Sequence, residues 1–303
     1  MDQTGFYNRL CSMLSKEQIL CDEPMSRHTT FRVGGPADYF LMPRQEQVAD
    51  VLELCRREQM PCQVIGNGSN LLVGDRGIRG VVLALTKPAA RIAVSGNKVT
   101  AGAGVLLAKA AAAAYQAGLG GMEFAAGIPG SVGGAVVMNA GAYGGEIQDV
   151  LTHAVVLDRE GRQLTLENRE LEFAYRHSCI PERALTVLEA EFLLQPKPQE
   201  EIRTLMDDLK NRRVTKQPLE YPSAGSTFKR PEGYFAGKLI MDAGLAGFTV
   251  GGAQVSQKHC GFIINAKSAR AADIRELIRQ VQQKVYERSG VRLETEVRYI
   301  GEF

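Results

Sequence analysis

The chain carries almost no net charge. Over 303 residues, 36 Lys+Arg stand against 34 Asp+Glu, a formal +2. So small a balance excludes a strongly basic nucleic-acid binder as the default reading. No two of the 6 cysteines (Cys11, Cys21, Cys55, Cys62, Cys179 and Cys260) are spaced C-x-x-C. That absence removes the zinc and thioredoxin-type readings. Scattered thiols in a chain this long point to reduced cysteines in the cytoplasm, mostly acting as small core residues. No run of about 18 apolar residues occurs, so no membrane-spanning helix and no membrane partner are expected. The N-terminal MDQTGFYNRLCSMLSKEQIL lacks a continuous apolar stretch and a small-residue cleavage site, so no secretory leader is expected. No G-x-G-x-x-G follows a strand pattern, which leaves a Rossmann site without support. No internal repeat and no low-complexity segment is present.

What is present reads as a globular protein. Hydrophobic residues make up 45% and charged residues 23%, enough to bury a sizeable core. At roughly 100–200 residues per domain the length implies two or three domains. The charge is unevenly spread: residues 1–202 hold 19 Lys+Arg and 23 Asp+Glu, whereas 203–303 hold 17 and 11. The C-terminal third is therefore where an anionic small molecule is to be sought, a solvated face being the plainer alternative.

Periodicity predicts a helix over 1–20, strands on either side of Gly34-Gly35-Pro36, an amphipathic helix over 44–59, and strands at 63–66, 71–74 and 81–85. A hairpin is expected around Ser95-Gly96-Asn97, an Ala-rich helix over 105–117 stopped by Gly118, and a second hairpin joining 153–158 to 162–166. A strand at 186–194, helices over 199–213 and 271–289, and a final alternating strand at 291–301 complete the pattern. The expected division is 1–86, 87–198 and 199–303, with the Pro-containing QPKPQ as the last linker.

Two glycine-dense stretches stand out. Gly66-Asn67-Gly68-Ser69-Asn70 follows a strand, where successive backbone N–H groups form an anion-binding concavity to which Asn and Ser add donors; a plain β-turn is the alternative. Gly127-Ile128-Pro129-Gly130-Ser131-Val132-Gly133-Gly134 is followed by Asn139. There Pro fixes φ, glycines admit close approach of a ligand, and a helix opened by Ser131 turns free N–H groups toward a phosphate. A tightly packed glycine turn is the alternative.

With HTTFRVGG (28–35), GNGSNLLV (66–73) and GIPGSVGGA (127–135), the chain resembles the FAD-binding half of the UDP-N-acetylenolpyruvoylglucosamine reductase family, whose members are also called UDP-N-acetylmuramate dehydrogenases. AYRHS (174–178), RRVTKQPLEYPSAGSTFKRP (212–231), VSQKHCGFIIN (255–265) and LETEVRYIG (293–301) continue the resemblance in order over nearly the whole chain. The chain is similar to the shorter class, since the run from Arg176 to the strand at 186 leaves no room for the Tyr-bearing insertion of longer members. The resemblance implies an α+β fold: a two-subdomain FAD-binding fold of the vanillyl-alcohol/p-cresol oxidase type, then a C-terminal α+β substrate domain from about 199.

It also implies the reaction, an NADPH-dependent reduction of the enolpyruvyl ether of UDP-N-acetylglucosamine enolpyruvate in peptidoglycan precursor synthesis. FAD is expected non-covalently bound, NADPH as co-substrate, no metal, and a monomeric cytoplasmic enzyme. Gly66, Asn67, Gly68, Ser69, Asn70, Gly127, Pro129, Gly130, Ser131, Gly133, Gly134 and Asn139 fall in the cofactor motifs. Arg176, Ser226 and Glu296 fall on the family's catalytic positions, Ser226 as proton donor. Tyr175, Arg213, Lys216 and Arg230, together with Arg212, are the candidates for substrate. His259 either approaches the flavin ring or fills a core contact. Hydride arrival at C3 builds negative charge at C2 and onto the carboxylate, which calls for a fixed, always-charged fork such as Arg176. The alternatives are another FAD-dependent alcohol or sugar oxidase, often with covalently tethered flavin, and a non-enzymatic nucleotide-sugar binding module.

Overall fold

A computed structural model describes residues 3–86 and 91–303. The expected boundary after residue 86 falls at 87–90, outside the described residues. The chain packs into two units, each assembled from separated segments. One comprises Met1–Cys21, Asp38–Asn67 and Gly80–Asn211; the other comprises Asp22–Ala37, Gly68–Arg79 and Arg212–Phe303. Each has its own hydrophobic core. Helices and strands are mixed throughout, an α+β composition.

The first unit is built around a five-stranded antiparallel sheet in the order Gln163–Glu167, Leu151–Leu157, Thr186–Leu193, Lys98–Gly102, Ile92–Ser95. Both expected hairpins are there. Ser95 pairs with Lys98, leaving Gly96-Asn97 as a two-residue turn with Gly96 at φ +56°, the left-handed conformation such turns require. The Ala-rich helix, Leu107–Gln116, buries Leu107, Ala110, Ala111 and Ala114; Gly118 follows at φ +69°, as a left-handed helix stop does. A further four-stranded sheet has the order Ile19–Pro24, Pro36–Leu41, Ile78–Ala84, Cys62–Ile65.

In the second unit, Ala271–Ser289 is a helix whose Ile274, Leu277, Ile278, Val281 and Val285 are buried. Their spacing is one face of a 3.6-residue period, and Gly290 ends the helix at φ +71°. That stripe faces a core with Leu72, Phe228, Ile240, Val255 and Ile263. The unit also contains the short helix Ala236–Asp242, a three-stranded sheet (Thr249–Val250, Ala253–Val255, Ile263–Asn265) and the parallel pair Leu71–Val73 with Arg298–Ile300.

Three expectations are corrected. The first helix stops at Met13 rather than 20. The Ser15 N–H turns to the Gln18 side chain at 3.0 Å, and Ile19–Pro24 is a strand. Residues 28–35 form no strand before the glycine turn: Arg32 sits at φ +56° and Thr29 Oγ1 donates to Val33 O at 2.9 Å. This makes a tight loop whose Phe31 and Val33 still reach the core. The last strand is only Arg298–Ile300, because 294–296 pairs elsewhere, as described below. No helix among the described residues is long and apolar enough to cross a membrane.

Candidate functional site

In the first unit the two glycine stretches meet. Asn67 Nδ2 donates to Pro129 O at 2.5 Å, and a Cβ built on Gly66 would fall on Ser131 Oγ. Ser131 caps the short helix Val132–Val137, its Oγ accepting from Gly134 N at 3.3 Å. The segment before the cap is pinned on both sides: Leu107 N donates to Gly130 O at 2.9 Å and Val132 N to Val105 O at 2.8 Å. Gly133 N donates to Ala103 O at 3.0 Å, and a Cβ at Gly133 would meet Ala103 Cβ at 2.8 Å. The glycines are thus required by the close approach of the protein to itself. In the second unit Gly68, at φ +64°, is packed so that a Cβ would strike the His28 carbonyl, and Thr30 N donates to Gly68 O at 3.3 Å.

These loops fit the cofactor their motifs imply. Among the described residues, the backbone N–H groups of Asn67, Gly130 and Ser131 in the first unit donate to no protein acceptor; nor do those of Gly68 and Ser69 in the second. Such orphan donors on tight turns are what a pyrophosphate takes up. The Thr30 hydroxyl is also buried without a partner. Thr30 is not among the candidate residues above; its signal in the sequence is the HTTF segment preceding Gly34-Gly35.

Asn139, expected at the cofactor, has its side-chain amide taken up within the protein. It is fully buried. Its Nδ2 donates to Glu146 Oε2 at 2.6 Å and Ala174 O at 3.2 Å, and its Oδ1 accepts from Gln148 N at 3.0 Å. Ala174 and His177 bond each other in both directions, at 3.3 and 3.1 Å. Tyr175 and Arg176 therefore form the tip of a tight turn, with Arg176 at φ +56°. The Arg176 guanidinium lies 5.0 Å from the centroid of the Tyr175 ring and donates to Gly141 O at 3.1 Å.

In the second unit, Ser226 and Glu296 are carried by paired segments. Phe228 bridges Thr295 in antiparallel fashion. Glu296 N donates to Thr227 O, and Lys229 N to Glu294 O, each at 2.9 Å. Thr227 is fully buried, its Oγ1 accepting from Ile263 N at 3.0 Å. Gly225 at φ +75° turns the chain just before Ser226. Asn70, expected at the cofactor, donates to the Glu296 carbonyl at 3.0 Å, and Arg298 N donates to Asn70 O at 2.9 Å. The residue thus ties down the chain from Glu296 to Arg298 through its side chain and its carbonyl.

The cationic candidates are spread more widely. Arg213 and Lys216 lie in the last turn of the helix Gln199–Lys216, where Lys258 Nζ donates to Val214 O at 2.7 Å. Arg230 stacks 4.0 Å from the centroid of the exposed Phe235 ring, its Nε donating to Tyr234 O at 3.2 Å. His259 makes a core contact, edge-on to Phe262 with 4.9 Å between ring centroids, and its Nδ1 accepts from Gly261 N at 3.1 Å. Burial pushes its imidazole below the ordinary value; a backbone hydrogen bond opposes this and the Lys216 charge adds to it.

The chain's similarities to known proteins cover its whole length. Residues 36–167 match the profile of the family described as FAD binding domain. Residues 217–300 match that of the UDP-N-acetylenolpyruvoylglucosamine reductase, C-terminal domain. A UDP-N-acetylenolpyruvoylglucosamine reductase of Agathobacter rectalis is 55% identical over 315 residues, covering 100% of both chains. That of Clostridioides difficile is 50% identical over 303 residues, again covering 100% of both. The solved structure of the Thermus caldophilus reductase superposes with a TM-score of 0.81 at 37% identity, over 93% of this chain and 99% of that one. An alkyldihydroxyacetonephosphate synthase, 14% identical with a TM-score of 0.52 over 66% of this chain and 41% of that one, shares the fold alone.

Proposed function

Since the chain belongs to the UDP-N-acetylenolpyruvoylglucosamine reductase family, we propose that it reduces the enolpyruvyl ether of UDP-N-acetylglucosamine enolpyruvate to the lactyl ether of UDP-N-acetylmuramate. FAD, held non-covalently, is the cofactor; when bound, it supplies the hydride carrier between NADPH and C3 of the enolpyruvyl group. Gly66, Asn67, Gly68, Ser69, Gly127, Pro129, Gly130, Ser131, Gly133 and Gly134 form the loops that hold it, through backbone N–H groups rather than charge. By sequence, 1–86 and 87–198 serve as the flavin-holding subdomains and 199–303 as the substrate domain.

Arg176 meets the substrate carboxylate. Its guanidinium stays charged at any working pH, and its fork matches the two oxygens on which the enolate-like charge accumulates. Ser226 delivers the proton to C2. A hydroxyl is a weak acid, adequate here only toward a carbanion held in contact with it. Glu296 orients the substrate or assists that delivery. Arg212, Arg213, Lys216 and Arg230 neutralise the pyrophosphate, and Tyr175 lies at the substrate beside Arg176. The enzyme acts as a cytoplasmic monomer with no nucleic-acid or membrane partner.

The observation that supports the assignment is the pairing of 227–229 with 294–296, since Ser226 adjoins one of these segments and Glu296 ends the other. Ser226→Ala should leave NADPH reduction of the bound flavin nearly intact. Stopped-flow reoxidation by the enolpyruvyl substrate should slow by about 10²-fold or more. Unchanged reoxidation removes Ser226 from the proton path.

A further inference from the structure

We infer that Asn139 is a positioning residue for Arg176, acting through one carboxamide that ties together the segment carrying the guanidinium and the segment receiving it. The inference rests on the role proposed for Arg176. On the receiving side, Gly141–Ala142 pairs antiparallel with Gly145–Glu146, Gly141 opposite Glu146. The Gly141 carbonyl accepts from Arg176 Nη2 at 3.1 Å. Asn139 grips this hairpin at its far end, through the 2.6 Å bond to the Glu146 carboxylate and the 3.0 Å bond from Gln148 N. The bond to Glu146 is a short one.

On the carrying side, the remaining Nδ2 hydrogen goes to Ala174 O at 3.2 Å, one residue before the two-residue tip that presents Tyr175 and Arg176. The turn is held from its other flank by Ser178 Oγ, which donates to Val137 O at 2.8 Å. The hairpin is seated as well, since a Cβ on Gly145 would meet the Phe124 ring at 2.7 Å.

Asparagine suits the post for two reasons. Asn139 sits at φ +41°, a region it tolerates better than other side-chain-bearing residues. Its two N–H groups and its carbonyl match the two acceptors and the one donor around it. Aspartate, equal in shape, would present oxygen to both Glu146 and Ala174 O.

The test separates the two half-reactions of the flavin-loaded enzyme. Asn139→Asp should retain flavin and be reduced by NADPH at close to the wild-type rate. Its reoxidation by UDP-N-acetylglucosamine enolpyruvate should slow by roughly 10- to 100-fold, the scale of a misplaced catalytic group. In an Arg176→Ala background the same substitution should add no further slowing, because the group it positions is gone. Where the added carboxylate prevents folding, Asn139→Gly, which keeps the left-handed backbone, should give the same pattern. Equal slowing of both half-reactions, or full additivity in the Arg176→Ala background, overturns the inference. If Arg176→Ala alone reoxidises at the wild-type rate, the role proposed for Arg176 has failed instead.

Discussion

At the scale of single residues, side chains of one type divide by what surrounds them. Three asparagines lie in the glycine-rich motifs, and the fold uses them differently. Asn67 bridges the two loops through Pro129, whereas Asn70 and Asn139 secure the segments bearing Glu296 and Arg176. Gly66 is equally particular. A methyl group there would lie on Ser131 Oγ, the atom that caps the following helix. Gly66→Ala should therefore give protein that purifies with clearly less flavin, measured as the ratio of flavin to protein absorbance. Full occupancy would show that the loop yields without loss of the site.

His259 gives a pH dependence of definite sign. Its folded pKa lies below the ordinary 6.5, so as the pH falls through 6.5 the unfolded chain takes up a proton that the folded chain refuses. Stability then decreases toward acid. Its contribution is complete above the unfolded pKa and is lost below it. Melting temperatures followed from about pH 7.5 down to pH 5 should drop more steeply for the wild type than for His259→Gln. Parallel curves would exclude this imidazole as a source of acid sensitivity.

At the scale of elements, the helix Ala271–Ser289 illustrates how a distant residue completes a local structure. Its first N–H groups have no intrahelical partner. Ala271 N and Ala272 N donate instead to the two carboxylate oxygens of Asp75, at 2.8 and 2.9 Å. Asp75 follows the strand Leu71–Val73, nearly 200 residues earlier in the chain. An acidic group there also meets the positive end of the helix dipole. Asp75→Ala should destabilise the protein by about 1–2 kcal/mol in chemical denaturation, against about 2–5 kcal/mol for Leu277→Ala in the buried stripe. Equal costs for the two would mean that the cap also holds something other than this helix. The helix itself was legible, both in its spacing and in the glycine that ends it. Its cap was not, because no local pattern announces an acceptor from another segment.

At the scale of the whole molecule, the charge that nearly cancels over the chain is unevenly distributed along it. The glycine loops offer backbone N–H groups and need no excess of Lys or Arg. The cations instead accumulate in 203–303, which holds 17 Lys+Arg against 11 Asp+Glu. An anionic pyrophosphate drawn to exposed cations should bind less well as salt rises, since the Debye length falls from about 10 Å at 0.1 M to about 3 Å at 1 M. The KM for the enolpyruvyl substrate should accordingly rise several-fold over that range, with kcat changing less. A KM indifferent to salt would assign recognition to uncharged contacts.

The sequence by itself determined the element types of the strongly periodic segments, the hairpin turns and the order of the motifs. These depend on neighbours within a few residues. It also carried the family resemblance, since several motifs in one order identify a family better than any one of them. Only the tertiary structure decided that 22–37 and 68–79 pack with the C-terminal third, and that residues 28–33 form a loop rather than a strand. It alone set the closing strand at Arg298–Ile300, and it turned two motif asparagines to hold the segments bearing Glu296 and Arg176. A hydrogen bond between residues 70 and 296 leaves no periodic trace in either segment. It exists only once the second unit's core has brought distant parts of the chain within about 3 Å of each other.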